Sequence, residues 1–397
     1  MSLKTNAKFN GMLAAKSAAL VFVLMLGTVS LFADMTYEGA RSITGPYLAI
    51  LGASATAVGL VAGLGELIGY GLRLVTGYIS DKTRQYWAIT IIGYAVNLLA
   101  VPLLALAGRW EIAAVLMIME RLGKAIRTPA RDVMVSHATV QMGRGWGFGV
   151  YEALDQIGAL TGPLVVAAVL YLKGNYQAGF AVLLIPAVMA LVVLIAARLK
   201  YPRPADFEPA AVKLETKGFT GAFWVYLAGV ALVAAAYADF PLIAFHFEKA
   251  SVVSSGWIPV FYALAMGVDA VAAMGFGRLF DKIGIKTLAI VALISAFFAP
   301  FVFMGGFAFA LLGMALWGIG MGAQESIMKA AVANMVPVEK RGTAYGIFNT
   351  GYGVFWFLGS AAMGMLYDVS IPCLVAFSVL LQMASIPIFL RAGKEKK

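Results

Sequence analysis

The sequence has little charge and almost no chemistry for metals or redox reactions. Only 13% of its 397 residues are charged, against about a quarter in soluble domains. Cys373 is the only cysteine, which excludes an intramolecular disulfide and argues against a thiolate metal site. The two histidines, His137 and His246, are far apart in sequence, and no glycine-rich loop ending in Gly-Lys-Ser/Thr is available for nucleotide phosphates. We expect no cofactor, no bound metal and no ATP-driven pump.

What the sequence has in excess is apolar residues. They make up 61% of the chain, and the mean hydropathy is +0.87. This composition predicts a helical bundle in lipid rather than two or three soluble domains. The net charge of +10 is spread over short loops without a basic face, so nucleic-acid binding is excluded. Because no nucleophile, base and metal converge in sequence, we also expect no enzyme activity.

Apolar runs long enough to cross a bilayer, which needs about 20 residues per helix, recur along the whole chain. Twelve are predicted, at 17–38, 49–78, 87–107, 111–135, 146–171, 176–198, 220–246, 255–280, 286–305, 307–335, 343–367 and 371–390. A polar stretch at 200–217 separates the sixth from the seventh. We therefore predict an all-α membrane protein with one six-helix bundle in 1–199, a linker in 200–217 and a second bundle in 218–397.

Lysine and arginine in the loops predict the orientation of the spans, since such residues collect on the cytoplasmic side. Four basic residues are predicted on the outer side: Arg41, Arg109, Lys173 and Lys249. Seventeen lie on the other side, in the termini, the linker and the loops near 82, 144, 282 and 340. The bias places both termini and the linker in the cytoplasm of a multi-pass protein. We expect it in the cytoplasmic membrane of a prokaryote.

The two halves of the chain share landmarks in the same order. Gly77, Asp81 and Lys82 recur as Gly277, Asp281 and Lys282. Further on, Arg144-Gly145 recurs as Arg341-Gly342, and Gly162 and Gly359 follow at the same distance. Such internal duplication is common in transporters, whose substrate site lies between the repeats.

The repeated motif resembles the loop signature of the major facilitator superfamily, Gly-x-x-x-Asp-Lys/Arg-x-Gly-x-Lys/Arg. The second copy matches at every position from Gly277 to Lys286. The first copy keeps Gly77, Asp81, Lys82 and a basic Arg84, and we assign Thr83 to the position where glycine is usual. The resemblance covers essentially the whole chain and implies the facilitator fold, two pseudo-symmetric six-helix bundles that alternate access to a central site.

In that setting the motif predicts a gate at the cytoplasmic ends of helices two and eight. Gly77 allows a close helix approach. Asp81 is placed to pair with a nearby arginine or a helix N-terminus. This latch comprises Gly77, Asp81, Lys82, Arg84, Gly277, Asp281 and Lys282. The alternative is that these are ordinary solvated loop charges.

Helix four is unusually charged for a membrane span. Its charged residues include Glu120, Arg121, Lys124, Arg127 and Arg131, and such groups in a membrane normally face a cavity or a partner. One interpretation is a basic lining that attracts an anion or relays protons. The other is a structural ladder in which the cations pair with Glu152 and Asp155 on helix five. We favour a functional role for Arg121 and Lys124, and the ladder for Arg127 and Arg131.

Helix five carries Gly149, Gly158, Gly162 and Pro163 at a spacing that resembles the antiporter signature of the superfamily. The glycine pair that closes that signature is replaced by Val166-Ala167. The resemblance implies efflux by exchange, of the drug/proton antiporter type, whereas a plain packing face accounts for the same glycines.

Several other ionisable residues fall within predicted spans. Carboxylates desolvated in a cavity can bind and release protons. The candidates for proton coupling are Asp34, Glu66, Glu152, Asp155 and Asp269. Arg73 lies on the same helix face as Glu66, and Glu325 forms a possible i,i+4 pair with Lys329.

The sequence thus favours a monomeric secondary transporter that exports a small organic molecule in exchange for protons. Uptake or exchange of an organic anion through the basic helix four is the alternative within transport. Translocation of membrane lipid on the same scaffold is also left open.

Overall fold

The computed structural model describes residues 2–139, 144–202, 219–337 and 341–393. Side chains are described from residues 17, 146 and 343 onward in the segments that begin at 2, 144 and 341. The predicted linker therefore lies outside the described residues except for its first three positions. The side chains of Arg144 and Arg341, which helped to define the repeat, are outside them as well.

Sixteen α-helices form the described part of the chain. The first half contains α1 Ser2–Ile50, α2 Ala55–Thr83, α3 Tyr86–Leu103, α4 Trp110–Thr139, α5 Arg144–Lys173, α6 Tyr176–Val182 and α7 Leu184–Lys200. The second half contains α8 Gly221–Ala236, α9 Phe240–Lys249, α10 Trp257–Ile283, α11 Lys286–Ser295, α12 Phe298–Met304, α13 Phe307–Gly322, α14 Met328–Met335, α15 Arg341–Val369 and α16 Ile371–Ala392. Short breaks divide some spans into two helices, as between α6 and α7.

Ten segments of the described chain are long and apolar enough to cross a membrane. The long helices α4 and α15 are not among the ten. In α4 the reason is its charge, since Glu120, Arg121, Lys124 and Arg127 lie within two turns. The predicted helix boundaries agree with the structure to within a few residues, apart from the first helix and the start of the second. A total of twelve spans remains a prediction.

The first helix was predicted to end at residue 38, and this is wrong. Helix α1 continues to Ile50, because its buried face repeats at helical spacing beyond that point, through Ala40, Ile43 and Tyr47. Arg41 is therefore inside a helix and mostly buried, not in an outer loop. Asp34 consequently lies in the middle of the span instead of near its end.

Close packing of glycine against backbone joins the helices within each half. A methyl group added at Gly158 or Gly162 of α5 would lie 2.2 or 2.4 Å from a carbonyl oxygen of α1. In the second half, one added at Gly359 of α15 would lie 2.0 Å from the Ala235 carbonyl of α8. Small residues allow such approach in membranes, where no hydrophobic effect drives helix association.

Two irregular segments interrupt the helices of the second half. Residues 237–239 are not helical and separate α8 from α9, whereas the corresponding α1 is continuous. Between α13 and α14 the chain forms a π-helix at Ala323–Ile327. Broken spans and π-helical turns are both frequent at transport and ligand sites.

We call one end of the bundle the basic end, because most of the loop lysines and arginines lie there, and the other the opposite end. At the basic end α2 ends at Thr83 and α10 ends at Ile283; at the opposite end α1 ends at Ile50 and α15 ends at Val369. Asp368 of α15 accepts hydrogen bonds from the backbone N–H groups of Ala55 and Thr56, at 3.3 and 2.8 Å, and so caps α2 at the opposite end. This contact joins the two halves of the chain.

Candidate functional site

Five charged side chains form a buried network where α1, α2, α4 and the start of α9 meet, which we call the Arg41 network. Arg41 Nη2 lies 2.7 Å from Asp239 Oδ1 and 3.2 Å from Glu66 Oε1. Arg121 Nη2 lies 3.1 Å from the same Glu66 oxygen, and its Nε lies 3.3 Å from Glu120 Oε2. The ion pair of Arg41 with Asp239 connects the two halves of the chain.

Each charge in this network is compensated by at least one neighbour of opposite sign. The side chains are 1–13% exposed, so breaking one pair would leave an uncompensated buried charge at considerable cost. The α8–α9 break explains the position of Asp239, which precedes the first turn of α9. Asn97 contributes a hydrogen bond of 2.8 Å to Glu120. The structure brings three of the predicted site residues, Glu66, Glu120 and Arg121, together in this network.

Lys124 lies next to this network, against Glu38 and Tyr37. Its Nζ is 4.0 Å from Glu38 Oε1 and 3.9 Å from the centre of the Tyr37 ring. The Tyr262 hydroxyl of α10 donates a hydrogen bond to Glu38. Glu38 therefore links the halves as well, and Lys124 is held partly by a cation–π contact.

Asp34 has no such compensation. It is 3% exposed, its Oδ1 has no hydrogen-bond partner, and no ion pair among the described residues includes it. The charges that act on it most strongly are those of Asp155, Lys124, Glu38 and Arg127. Asp155 itself accepts a hydrogen bond from Ser30, whose hydroxyl is also 2.5 Å from the Tyr151 hydroxyl.

The predicted pairing of helix-four cations with helix-five acids is not present among the described ion pairs. Arg127 is completely buried, and none of its guanidinium nitrogens has a hydrogen-bond partner. It packs instead against the Tyr94 ring, at 4.3 Å from the ring centre. Arg131 bonds Asp132 at 2.6 Å. Glu152 and Asp155 thus do not neutralise these cations by direct contact.

A second group of charges faces the space between the halves: Glu152 on α5, Asp269 on α10, and Glu325 and Lys329 near the π-helix. Asp269 is buried, whereas Glu152, Glu325 and Lys329 are exposed. The same charges nonetheless act on one another across the halves.

The expected i,i+4 ion pair of Glu325 with Lys329 does not occur within 4.0 Å in the described structure. Glu325 belongs to the π-helix at Ala323–Ile327, in which the wider turn changes the angle between residues four apart. Arg73, predicted on the same helix face as Glu66, has its guanidinium carbon 4.8 Å from the centre of the Tyr70 ring, which lies between the two in sequence. The charge of Arg73 also acts on Glu66.

The gate motif is present at the basic end in an unpaired arrangement. Asp81, Lys82 and Arg84 are exposed, as are Asp281 and Lys282, and no ion pair among the described residues involves them. A methyl group at Gly77 would lie 3.6 Å from Pro129 of α4, whereas Gly277 has open space around it. Only the first glycine thus packs against a neighbouring helix.

The backbone corrects our alignment of the first gate motif. Arg84, not Thr83, stands where the motif has glycine. Arg84 has φ 54° and Gly284 has φ 63°, and each follows the last residue of its helix. Their N–H groups bond the carbonyls of Ser80 and Phe280 respectively. Thr83 is the last helical residue of α2, and a left-handed residue after it is where glycine is favoured.

The helix-five motif divides into two parts. Gly158 and Gly162 pack α5 against Leu31 and Met35 of α1, beside Asp34. Gly149 has open space around it, so it does not share this packing role. Helix α5 continues through Pro163 without interruption.

Sequence reasoning missed Arg41, Tyr262 and the pairing role of Asp239. The signal for Arg41 was available, because the apolar period of α1 continues past residue 38; the usual length of a span argued for an earlier end. The pairings between halves had no local sequence signal. Among the described residues, no group of three His, Cys, Asp or Glu is arranged to hold a metal.

Comparison with known proteins identifies relatives over nearly the full length of the chain. A protein of Mycobacterium tuberculosis, named as uncharacterised, is 41% identical over 372 residues, which cover 92% of this chain and 91% of the relative. An uncharacterised MFS-type transporter of Methanocaldococcus jannaschii is 29% identical, covering 88% of this chain and 89% of its own.

Solved transporter structures share the fold. The nucleoside transporter NupG has a TM-score of 0.76 at 13% identity, covering 93% of this chain and all of its own. A bacterial homologue of the human lysosomal transporter Spinster, inward-facing and unoccupied, has a TM-score of 0.67 at 15% identity, covering 96% of both chains. At such identities the likeness concerns the fold alone. The model of the Major Facilitator Superfamily matches residues 19–360, and the chain therefore belongs to that superfamily of membrane transporters.

Proposed function

We propose that this transporter exports a small organic solute in exchange for protons, by alternating access between its two six-helix halves. The halves are joined by Arg41 with Asp239 and by Asp368 with the start of α2. Towards the basic end, Glu152, Glu325 and Lys329 are exposed in the space between them. This arrangement suits a carrier that is closed at the opposite end and accessible from the basic end.

The observation that carries proton coupling is Asp34. Its carboxyl group is buried without a cation in ion-pair contact and with a second carboxyl, Asp155, among its strongest electrostatic neighbours. An ionised carboxylate is costly in such surroundings. A proton bound at Asp34 in this state and released when solvent reaches it would couple proton movement to the change of state. Gly158 and Gly162 hold α5 close to this residue.

Arg127 favours a second candidate, transport of an organic anion. Its guanidinium is fully buried without a hydrogen-bond partner, which is unusual for a group with five donors. A rearrangement that opened the first half would bring this cation to an anionic solute. Lys124 lies one turn away on the same helix and would extend the basic lining.

We place the protein in the cytoplasmic membrane with the basic end inside, according to the distribution of lysine and arginine in its loops. The monomer is the proposed functional unit, since each half contributes charged residues to one site between them. The wider residue set of the site comprises Asp34, Glu38, Arg41, Glu66, Arg121, Lys124, Asp239, Asp269 and Glu325.

Proton release tests the proposal. Purified protein in weakly buffered detergent solution is mixed with tetraphenylphosphonium, a neutral sugar, an amino acid or benzoate, and the bulk pH is recorded. We expect release with one ligand class, abolished by Asp34→Asn and retained by Asp132→Asn, which alters an exposed acid of α4. If a ligand binds to the unmodified protein without releasing protons, transport is not coupled to protons. Release by benzoate alone, lost in Lys124→Gln, would favour the anion transporter.

A further inference from the structure

A large apolar groove runs between α5 of the first half and α10 of the second. Its volume is about 790 Å³, and it is lined by residues such as Leu160 and Leu164 of α5 and Val260, Val271 and Leu279 of α10. The lining contains no charged or hydrogen-bonding side chain. Neither the gate motif nor the Arg41 network uses this region.

The other seam between the halves, formed by α2 and α15, is closely packed at the glycines of the described residues. There a methyl group at Gly59 would lie 2.3 Å from the Ser360 carbonyl oxygen, and one at Gly63 would lie 3.1 Å from Phe357. On α10, by contrast, a methyl group at Gly267 would lie 3.7 Å from Leu160, and Gly275 has open space around it. One lateral seam is thus closed by backbone contact, and the other is held apart.

The dimensions and lining of the groove suit an alkyl chain. From Val260 to Leu279 the helix rises about 28 Å at 1.5 Å per residue, close to the thickness of the hydrocarbon core of a bilayer, about 30 Å. Val271 is 67% exposed on this surface, so the groove faces the hydrocarbon. A polar solute would gain no hydrogen bonds there, whereas an alkyl chain would replace one apolar contact by another.

The inner sides of the same two helices carry acidic groups. Asp269 lies two residues before Val271, hence on the opposite face of α10. Glu152 lies eight residues before Leu160 on α5, about 80° away from it around the helix. The charges of Glu152 and Glu325 both act on Asp269. Lys329 is the cation that acts most strongly on Glu325 and Glu152, and Lys124 and Arg131 act on them more weakly. A ligand lying through the seam would meet apolar side chains outside and the three carboxyl groups inside.

We propose that the transported solute is a cationic amphiphile that enters from the bilayer, with its alkyl chain in the α5–α10 groove and its cationic head near Glu152, Asp269 and Glu325. This inference rests on the proposed export function and assigns its substrate class. It makes the groove a lateral entry site that precedes the charged space between the halves.

Photolabelling tests the site directly. The full chain in nanodiscs of phosphatidylcholine is irradiated with an alkyltrimethylammonium probe that carries a diazirine near the end of its chain, and the labelled peptides are identified by mass spectrometry. We expect labels on α5 and α10 that dodecyltrimethylammonium displaces and dodecanol does not. Val271→Trp should reduce labelling about tenfold, because the indole overfills the groove. Met274→Trp is the matched control, since Met274 is 64% exposed on the same helix and does not line the groove.

Three results would overturn the inference: labels spread evenly over the outer faces of α7 and α16, equal displacement by dodecanol, or equal displacement by dodecyl sulfate. Glu152→Gln should weaken displacement by dodecyltrimethylammonium, while dodecanol should still not displace the label. Proton release is measured on the same samples. Labelling without proton release contradicts the coupling to protons and supports the site, whereas proton release by a sugar without groove labelling contradicts the amphiphile.

Discussion

The residues that matter most in this molecule are charged groups that tie the two halves together. Arg41 lies between Glu66 of its own half and Asp239 of the other, and the Asp239 carboxylate also receives a hydrogen bond of 3.4 Å from Trp356. In the proposed alternating-access cycle this contact breaks each time the halves separate at this point. On that proposal the ion pair contributes to the balance between states as well as to stability.

Replacing Asp239 by asparagine should weaken the tie between the halves. Arg41 would retain Glu66 but lose half of its compensation, and we expect a cost of up to about 3 kcal/mol, since removal of one partner leaves buried charge. The measurement is the thermal unfolding midpoint in detergent. Glu111→Gln is the control: it removes the partner of Arg109 in a pair whose side chains are 73% and 46% exposed, and it should change the midpoint little, because exposed ion pairs contribute little to stability. Equal midpoints for the two variants would show that the Arg41 pair does not hold the halves.

The burial of charged residues was easier to predict from the sequence than the partners that they contact. The burial of Glu66, Arg121 and Lys124 follows from their place in apolar helices, and the structure shows it. That Arg127 contacts Tyr94 rather than a carboxylate of α5 depends on how α3 and α4 pack. A sequence pattern gives the face on which a residue lies and contains no information about which helix faces it.

At the scale of single elements, the ends of two helices show how the gate motif determines backbone conformation. Arg84 and Gly284 terminate α2 and α10 with positive φ angles, although only the second is glycine. The left-handed conformation costs a non-glycine residue roughly 1 kcal/mol. The first half has thus kept a positive φ at this position while changing the residue, and the ψ angles differ, 19° at Arg84 and −141° at Gly284.

This geometry predicts opposite effects for two neighbouring glycine substitutions. Arg84→Gly should stabilise the protein by about 0.5–1 kcal/mol, because glycine adopts the left-handed end residue without strain. Thr83→Gly should destabilise it by a similar amount, since Thr83 is helical and its hydroxyl bonds the Ile79 carbonyl at 2.7 Å. The thermal unfolding midpoints of both variants decide which residue stands at the glycine position of the motif. Stabilisation by Thr83→Gly together with destabilisation by Arg84→Gly would show that Thr83 stands there.

The interruptions of the helices show which features the sequence pattern predicts and which it does not. The break at Gly305-Gly306 was predicted and is present between α12 and α13. The π-helix at Ala323–Ile327 and the interruption at 237–239 were not predicted. The π-helix lies in an apolar segment without a proline or a glycine pair. The interruption at 237–239 had an available signal, because Pro241 lies in the first turn of α9. A tertiary contact also stabilises it, the bond of 2.9 Å from the Trp317 indole to the Ala238 carbonyl.

For the whole molecule, the duplicated landmarks and the apolar runs sufficed to predict the superfamily. They did not predict which end of the halves is closed. That depends on contacts between distant segments, such as Asp368 with Thr56, and on the glycine contacts along α2 and α15. The two halves have similar landmarks but unequal seams, and the α5–α10 groove follows from this inequality.

A reversible cross-link tests whether the opposite end must open during transport. In a Cys373→Ser background, Thr56→Cys with Asp368→Cys places two thiols where a hydroxyl and a carboxylate oxygen are 2.7 Å apart. Oxidation should stop transport, in proteoliposomes, of the solute found by proton release, and reduction should restore it, because the bond joins two halves that must separate. Arg109→Cys with Glu111→Cys is the control: these exposed side chains bond each other at 3.0 Å within the first half, so their oxidation should leave transport nearly unchanged. Unimpaired transport with the 56–368 bond formed would mean that the halves do not separate there, and alternating access about this end would be wrong.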